Sequence, residues 1–435
     1  MFATVSNIWK VEDLRKRILF TLFILLVYRL GSFIPVPNID KDVLTMANEQ
    51  GNELFGLLNT FSGGALFQFS IFALGILPYI TASIIVQLLS MDVIPKFAEW
   101  AKEGENGKRK LAQVTRYGTV ILAVIQSFAT AIGFNRIYNY DMVLDPSWST
   151  YIMIAIVLTA GTSFLMWLGE QINEKGIGNG ISILMFAAIV SAIPGYVRDI
   201  YADKFVNASG QLFMNIVQVV LIVVLIVAMI VGVIFIQQGV RKIPVQYAKR
   251  VVGQKMYGGQ STHIPLKVNG AGVIPVIFAS SLLMFPITIA QFWAGHGWAN
   301  WIINHLYYDR PLGMVLYVLL IIGFTFFYTF VQFNPQQLAD NMKKNGGYIP
   351  GIRPGKPTSG YLMRVITRIT LAGAIFLAVI SVIPVFFGLI FGLPRSVQLG
   401  GTSLLIVVGV ALETMKQVES QLIKRHYKGF ITKKS

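Results

Sequence analysis

Residues 61–89 read FSGGALFQFSIFALGILPYITASIIVQLL, an apolar stretch that is interrupted in two places. Two glycines follow Ser62, and Gly75 with Pro78 breaks the middle. Because proline lacks a backbone N–H and disfavours a straight helix, we predict a short half-helix near 61–73 and a longer helix near 76–91. Broken backbone inside a bilayer persists only where protein buries it or where it lines water. The stretch therefore predicts a lumen.

A near-copy of the second piece returns later in the chain. The segment GILPYITAS at 75–83 matches GVIPVIFAS at 272–280, with Gly, Pro, Ile, Ala and Ser in the same places. Glycine and proline are frequent in membrane helices, so one Gly-Xaa-Xaa-Pro alone would carry little weight. Two copies with the same downstream residues favour an internal repeat, with the transport pathway at the interface of the repeats.

The composition is typical of a polytopic membrane protein. Of the 435 residues, 54% are hydrophobic and 13% are charged, and the mean hydropathy is +0.63. Soluble domains carry about 25% charged residues. The sequence has no cysteine, which excludes disulfides and thiolate metal sites, and its four histidines lack metal-ligand spacing. We therefore predict no metal site and no cofactor.

The sequence also argues against an enzyme. The glycine-rich GIGNG at 176–180 resembles a phosphate-binding loop, but it joins two apolar segments rather than a strand and a helix. We interpret it as a tight turn that lets helices near 151–169 and 180–197 pack closely. An intramembrane protease needs paired catalytic groups at depth, and the apolar segments contain no such pair. No catalytic residue is predicted.

Ten apolar segments are predicted as membrane spans, which makes the fold an all-α polytopic membrane protein. The first is long enough for a hydrocarbon core of about 30 Å. It lacks the short core and small-residue cleavage site of a signal peptide, so we interpret it as a retained helix. The predicted spans lie near 18–37, 76–91, 117–135, 151–169, 180–197, 212–236, 271–292, 312–332, 366–390 and 401–418.

The distribution of basic residues predicts the orientation. With ten spans both termini share a side, and all but seven of the 36 lysines and arginines fall on that side. The positive-inside rule then places both termini in the cytoplasm. Most of the net charge of +16 is therefore a consequence of topology. The seven basic residues on the opposite side are Arg29, Lys41, Arg136, Arg198, Lys204, Arg310 and Arg395.

Two cytoplasmic loops are longer and more basic than topology requires. The loop at about 237–270 contains no acidic residue, and the loop at about 334–368 contains Asp340 alone. Turn-forming residues such as Pro244 and the Pro-Gly pairs at 350–351 and 354–355 interrupt them. Such loops suit the docking of an acidic or polyanionic partner. Excess positive charge beside anionic lipid is the alternative explanation.

The membrane interior is nearly free of carboxylates. Glu413 and Glu170 lie at the ends of predicted spans, whereas the middle offers aliphatic and aromatic side chains with a few amides and hydroxyls. Carriers coupled to protons or sodium place ionisable groups near the midplane. A narrow aliphatic constriction can instead block ions by dewetting and can yield to a passing chain.

Several long motifs resemble the SecY family, the large subunits of protein-conducting channels. The match runs from the N-terminus to the tail, so chance agreement is negligible. The motifs are ALGILPYITAS at 73–83, GIGNGIS at 176–182, IPVQYAKR at 243–250, STHIPLKVN at 261–269, GYIPGIRPG at 347–355 and GGTSLLI at 400–406.

The resemblance implies two inverted five-helix halves, 1–206 and 207–435, around a central hourglass pore with a short plug half-helix. Family positions map the pore ring onto Ile76, Ile80, Ile181, Met185, Ile277 and Ile406. They map the plug onto 61–73, beginning with Phe61, Ser62, Gly63, Gly64, Ala65, Leu66 and Phe67. Ile80 and Ile277 are also mates in the repeat, which supports a common axis. Met185 departs from the usual branched aliphatic, and its flexible thioether should seal less rigidly.

The resemblance also implies a lateral gate and docking partners. The gate helices are those near 76–91 and 271–292, with polar residues Thr81, Ser83, Gln126 and Ser280. The expected partners are small SecE-like and SecG-like membrane subunits, the SecA motor ATPase, the ribosome, unfolded secretory and membrane polypeptides, and membrane lipid. The predicted docking contacts in the basic loops are Arg241, Lys249, Arg250 and Arg353.

The leading hypothesis is a passive, gated conduit in the bacterial cytoplasmic membrane for unfolded polypeptide, driven by its partners. A secondary transporter of a small solute is the competing class, which would need a compact polar site at the midplane. A third class is a scaffold or insertase without a conducting path, which should tolerate deletion of residues 61–73 with no change in resting leak.

Overall fold

The computed structural model describes residues 11–40, 59, 62–66, 68–90, 93–137, 143–206, 212–247, 250–252, 255–257, 261–290, 293, 295–307, 310–391 and 400–431. The helices there are α1 (Glu12–Gly31), α2 (Leu77–Leu89), α3 (Pro95–Lys102), α4 (Glu105–Ile137), α5 (Trp148–Lys175), α6 (Gly180–Tyr201), α7 (Leu212–Gln238), α8 (Ile274–Ala290), α9 (Gly297–His305), α10 (Pro311–Gln332), α11 (Pro335–Lys344), α12 (Lys356–Phe391) and α13 (Gly400–Ile431). The strands are β1 (Val240–Tyr247), β2 (Arg250–Val252), β3 (Lys255–Tyr257), β4 (Ser261–Lys267) and β5 (Gly347–Tyr348).

Each predicted span overlaps one of these helices, and in the part of the chain that is described six helices are long and apolar enough to cross a membrane. They are α4, α5, α6, α7, α10 and α12. Helices α2 and α8 have 13 and 17 residues, so at about 1.5 Å per residue they are shorter than a hydrocarbon core of about 30 Å. Each helix begins within a Gly-Xaa-Xaa-Pro motif, as the repeat predicts. The glycines of the two motifs, Gly75 and Gly272, have positive φ values of 57° and 65°.

The predicted half-helix at 61–73 was wrong for the residues that the structure describes there. Residues 62–66, 68–69 and 71–76 form turns, and Ser70 forms an isolated antiparallel β-bridge with Pro35. The reason is the backbone: Gly63, Gly64 and Phe69 have φ values of 68°, 88° and 40°, which a right-handed helix cannot contain. Phe61 and Phe67 lie outside the described residues.

Helix packing repeats between the first and second parts of the chain. In the first part α1 packs on α5 and α6, α2 on α4, α4 on α5, and α5 on α6. In the second part α7 packs on α12 and α13, α8 on α10, α10 on α12, and α12 on α13. When α1, α2, α4, α5 and α6 are matched in order with α7, α8, α10, α12 and α13, these five contacts correspond one to one, and the first part has a further contact between α2 and α5. Between the two sets, contacts join the mates α2 and α8 and the mates α6 and α13.

The two basic loops fold together into one lobe, which the all-α prediction missed. Strand β1 lies between β4 and β5 in an antiparallel sheet. Ile243, Val245 and Leu266 turn inward onto α11 and the beginning of α12, where they form a hydrophobic core separate from the main one. We call β1, β4, β5, α11 and residues 349–368 the basic lobe. A second, two-stranded sheet pairs β2 with β3.

Pro244 was predicted as a turn residue, but it lies inside β1. It pairs with His263 of β4 on one side, whereas β5 reaches only Gln246 and Tyr247 on the other. Pro244 therefore faces an open sheet edge, where the missing N–H removes no ladder hydrogen bond. Alternating Ile243 and Val245 supply the inward face, which is the period-2 signal of a strand.

The GIGNG turn lets α5 and α6 meet closely, as predicted. A methyl group added at Gly180 would overlap the backbone of Gly169. We expect Gly180→Ala to destabilise the folded protein by about 1–3 kcal/mol, because overpacking forces the helices apart. Thermal unfolding in detergent measures this effect. Gly195→Ala in the same helix is the control, because a methyl there meets no atom within 4 Å. Equal melting temperatures for the two variants would contradict the close approach.

Candidate functional site

Five of the residues predicted to form the pore ring belong to the main hydrophobic core, and Ile181 packs against it. They are supplied by four helices, two from each part of the chain: Ile76 and Ile80 at the start of α2, Ile181 and Met185 in α6, Ile277 in α8, and Ile406 in α13. Ile181 is half-buried, and none of the others is more than 5% exposed. The helices that carry them meet at the two contacts between repeat mates, α2 with α8 and α6 with α13.

The position of these side chains follows from local structure. Ile76 caps α2 with φ −100° and ψ 0°, and Ile80 stands one turn later on the same face. Ile181 and Met185 have the same spacing in the first turns of α6, which Asn179 begins by accepting hydrogen bonds from the N–H groups of Ile181 and Ser182 at 3.2 and 3.4 Å. All six of these side chains are apolar, so none of them offers a polar partner to an ion.

We call the described part of the predicted plug, residues 62–66 and 68–73, the plug segment. Side chains that the sequence analysis did not connect with the plug contact it through hydrogen bonds. Tyr28 donates its hydroxyl to the carbonyl oxygen of Ser62 at 3.0 Å. Arg29 donates to the carbonyl oxygen of Gly63 at 3.2 Å. The Ser191 hydroxyl lies 3.3 Å from the same oxygen and 2.7 Å from the carbonyl oxygen of Ala188 in its own helix, and these two oxygens share its single proton. We call Tyr28, Arg29 and Ser191 the plug latch. The sequence did contain a sign of this role, because Arg29 is a charged residue inside the apolar run 18–37. A charged side chain costs free energy in a membrane and often marks a functional site.

Aromatic and backbone contacts hold the other end of the plug segment. Phe72 is buried and stacks on Tyr28 of α1 at 6.0 Å and on Phe164 of α5 at 6.1 Å between ring centroids. The backbone N–H of Ile71 donates to the oxygen of Ile34 at 3.0 Å. These bonds satisfy backbone groups that irregular structure at membrane depth would otherwise leave unpaired.

Gly63 touches the backbone of α6, and this contact gives a testable prediction. A Cβ added at Gly63 would lie 2.9 Å from both Cα of Ala188 and Oγ of Ser191. We expect Gly63→Ala to displace the plug segment and to raise the resting ion leak of reconstituted vesicles severalfold. Gly64→Ala is the matched control: φ is also positive there, but a methyl meets nothing within 4 Å. Comparable leak in both variants would show that the contact with α6 does not hold the plug.

The predicted lateral-gate helices contact one another in this structure. α8 packs against both α2 and α4. Thr81 donates to the oxygen of Leu77 at 3.0 Å and Ser280 to that of Ile277 at 2.9 Å, so both hydroxyls donate within their own helices. Gln126 of α4 is buried and Ser83 of α2 is half-buried.

The turn between α5 and α6 joins several helices in addition to forming a close crossing. The N–H of Gly178 donates to Gln417 Oε1 of α13 at 2.9 Å. The N–H of Ile177 donates to Thr21 Oγ1 of α1 at 3.1 Å, and Arg17 donates to the oxygen of Gly176 at 3.3 Å. The turn is thereby tied to the first helix and to the last, which belong to different parts of the repeat.

Of the residues predicted to dock a partner, Arg241 and Arg353 belong to the basic lobe. The side chains of Arg241 and Arg353 are exposed. Lys249 lies outside the described residues, and Arg250 is described only as backbone in β2. The basic lobe carries further exposed basic side chains, namely Lys242, Lys267, Lys343, Lys344, Lys356, Arg364 and Arg368. The fold therefore brings the basic residues of two loops, which are separate in sequence, together in one lobe.

Among the described residues no group of three or more His, Asp or Glu side chains is placed to hold a metal ion.

Comparison with known proteins gives concordant matches. The family model described as SecY matches residues 70–415. A protein of Halalkalibacterium halodurans named "Protein translocase subunit SecY" is 60% identical over 432 residues, which cover 99% of this chain and all of that protein. A solved structure described as "The structure of a protein conducting channel" has a TM-score of 0.61 at 17% identity, covering 93% of this chain and 92% of that one. "Sec61 in the Canine ribosome-channel complex from the endoplasmic reticulum" has a TM-score of 0.58 at 16% identity, with the same coverage.

Proposed function

This chain belongs to the SecY family of protein translocase subunits, and from that membership we propose how its own residues form and close the path for polypeptide. The family is one of channel subunits and not of enzymes. The protein is a membrane protein with several apolar helices. It is the channel subunit of a protein translocase.

The ring of Ile76, Ile80, Ile181, Met185, Ile277 and Ile406 forms the waist of the channel in this proposal. One observation supports it: residues far apart in sequence, on four helices from both parts of the repeat, belong to or pack against one apolar core, and these helices contact one another as α2 with α8 and α6 with α13. Aliphatic contacts lack preferred partners, so the ring can part around a threading chain and close again behind it. The uncharged closed state excludes ions by dewetting.

Two five-helix halves, 1–206 and 207–435, surround this waist in the proposal. The repeated packing pattern of α1, α2, α4, α5 and α6 in α7, α8, α10, α12 and α13 supports the division. The ten helices then form an hourglass pore with both termini in the cytoplasm, as the distribution of lysine and arginine favours. The plug segment closes the external funnel, and the latch from Tyr28, Arg29 and Ser191 supports that role.

The α2–α8 and α4–α8 contacts form the lateral gate in the proposal, with Thr81, Ser83, Gln126 and Ser280 near it. The hydroxyls of Thr81 and Ser280 donate within their own helices, and a hydrogen bond between membrane helices contributes only about 0.6 kcal/mol on average, so polar contacts hold the gate weakly. Partition of a signal helix into lipid contributes roughly 0.3–0.6 kcal/mol per central Leu or Ile. A sufficiently apolar segment can therefore part the gate and leave sideways into lipid.

The basic lobe is the proposed docking surface for the partners that supply energy. Its exposed arginines and lysines, Arg241 and Arg353 among them, suit ribosomal RNA and acidic protein surfaces, and Lys249 and Arg250 are included from the sequence. The ribosome and a SecA-type motor are proposed to use this lobe in turn. Small SecE-like and SecG-like subunits are proposed to complete the assembly within the membrane.

A stalled secretory chain tests the proposal. Vesicles containing the complete translocase receive a secretory polypeptide whose end carries a tightly folded domain and whose middle carries one photoreactive residue. Illumination is expected to join the trapped chain to this protein in good yield, and the adduct should disappear when the motor is omitted. Efficient transport with no adduct to this protein, or uptake of a small solute in place of the chain, would refute the conduit.

A further inference from the structure

Helix α9 connects the end of α8 to the beginning of α10, whereas the basic lobe connects to the other ends of these two helices through β4 and α11. The helix is uncharged and rich in tryptophan. The segment 291–308 contains no Asp, Glu, Lys or Arg. Within it Trp293, Trp298 and Trp301 are 46%, 50% and 52% exposed. Three half-exposed indoles on one short segment form an apolar surface that neither the channel waist nor the docking lobe uses.

The side chains of α9 sort onto three faces. Ala299 and Ile303, one turn apart, are buried in the main core against α8 and α10, on which α9 packs. Asn300 and Asn304 are exposed on a second face. At about 100° per residue, Trp298 and Trp301 share a third face between these two.

The tryptophans on this third face form part of an ordered aromatic surface. The Trp301 ring stacks on His305 with 4.9 Å between centroids, and Trp293 lies 5.6 Å from Trp298. The neighbouring beginning of α10 exposes aliphatic side chains, Leu312, Val315 and Leu319. The indole surface is thus continuous with the apolar flank of a helix that is long enough to cross a membrane.

These observations define the chemistry that fits the surface. Exposing the indoles to water costs free energy in proportion to their apolar area. Helix α9 has nine residues and is therefore only about 14 Å long, too short to cross a bilayer. An indole combines a large apolar body with one N–H donor, which suits the headgroup layer, and tryptophan is enriched there. A helix with a protein face, a water face and an indole face fits the boundary between headgroups and acyl chains.

We propose that α9 is an interfacial helix whose tryptophans bind the phospholipid headgroup layer of the leaflet opposite the basic lobe. Because Ala299 and Ile303 pack against the same core as α8, this binding fixes the outer end of α8 at the depth of the headgroups. The inference requires only that the chain is embedded in a bilayer, so it stands or falls separately from the conducting role.

Depth-dependent fluorescence quenching tests the inference. A variant that keeps only Trp298 and Trp301, with the other tryptophans replaced by phenylalanine, is reconstituted in phosphatidylethanolamine and phosphatidylglycerol vesicles. Lipid that carries a spin label near the headgroup is expected to quench the tryptophan fluorescence of this variant about twofold more than lipid labelled near the end of the acyl chain, because interfacial tryptophan lies at the depth of the headgroups. The control carries one tryptophan at Val224→Trp, on the exposed middle of α7, and should show the reverse order.

Two results would overturn the inference. Strong quenching by aqueous iodide with little quenching by either lipid would place the indoles in water. Stronger quenching by the chain-end label would place them in hydrocarbon. The chain has no cysteine, so Asn300→Cys supplies an independent measurement that leaves the indoles intact. A spin label at that cysteine should be accessible to a water-soluble relaxation agent, and protection from that agent would also contradict the three-faced arrangement.

Discussion

Vesicles containing the Ile80→Asp variant are expected to conduct small ions in the resting state, where the unaltered protein is closed. Ile80 is 5% exposed and lies in the same apolar core as Ile277 and Ile406. Burying an unpaired carboxylate costs several kcal/mol even after relaxation, so the site should admit water to solvate it. Since about 1.4 kcal/mol changes an equilibrium tenfold, the wetted state should become the dominant one.

Single-channel recording in planar bilayers measures this effect. Ile80→Leu keeps the volume and the apolar character, so it should remain closed and serves as the control. Ile277→Asp, at the repeat mate, should leak like Ile80→Asp because both side chains contribute to the same constriction. A quiet closed state in both aspartate variants, with the protein correctly inserted, would remove Ile80 and Ile277 from the ring.

The Arg353→Glu variant is expected to lose roughly tenfold or more of its motor-driven transport, because interfacial arginines are often hot spots worth 2 kcal/mol or more. Arg353 is exposed in the loop after β5, where the oxygen of its peptide accepts a hydrogen bond from Thr358 at 2.8 Å. Its guanidinium is on the basic lobe, and reversing its charge introduces repulsion toward an acidic partner in addition to removing a contact.

Transport of a secretory protein into inverted vesicles measures the loss, together with the affinity of the purified motor. Arg109→Glu is the matched control, because Arg109 is also exposed and on the same predicted side but belongs to α4. Insertion and melting temperature should be unchanged in both variants. Normal transport by Arg353→Glu, or an equal loss in Arg109→Glu, would show that the basic lobe has no special part in docking.

The sequence predicted the helices because the relevant signals are local. Long apolar segments specify spans without reference to the rest of the fold. Gly75 and Gly272 mark the breaks before α2 and α8 because glycine adopts the positive φ values found there without steric cost. The burial of Ile80 and Ile277 followed from the internal repeat, and the close crossing of α5 and α6 followed from the glycine-rich turn.

The conformation of the plug and of the basic lobe depended on contacts that the sequence does not record. The apolar run 65–74 suggested a half-helix, but Gly63 lies against Ala188 of α6 and adopts a left-handed conformation. Tyr28 reaches a carbonyl oxygen 34 positions along the chain. The sheet of the basic lobe pairs β1 with β5, which lies about a hundred residues later in the chain. The short strand β5 forms only because β1 is its partner, so the sequence of its own loop does not predict it.

Site-specific crosslinking from the ring itself tests the central claim most directly. A photoreactive residue replaces Ile80, Ile277 or Ile406 in turn, and a secretory chain is trapped in transit through the translocase. Val224 and Leu319 on the exposed faces of α7 and α10 provide the control positions. The chain should be captured from all three ring positions and from neither control. Capture from the control positions while the ring positions stay silent would mean that polypeptide does not pass through the apolar waist.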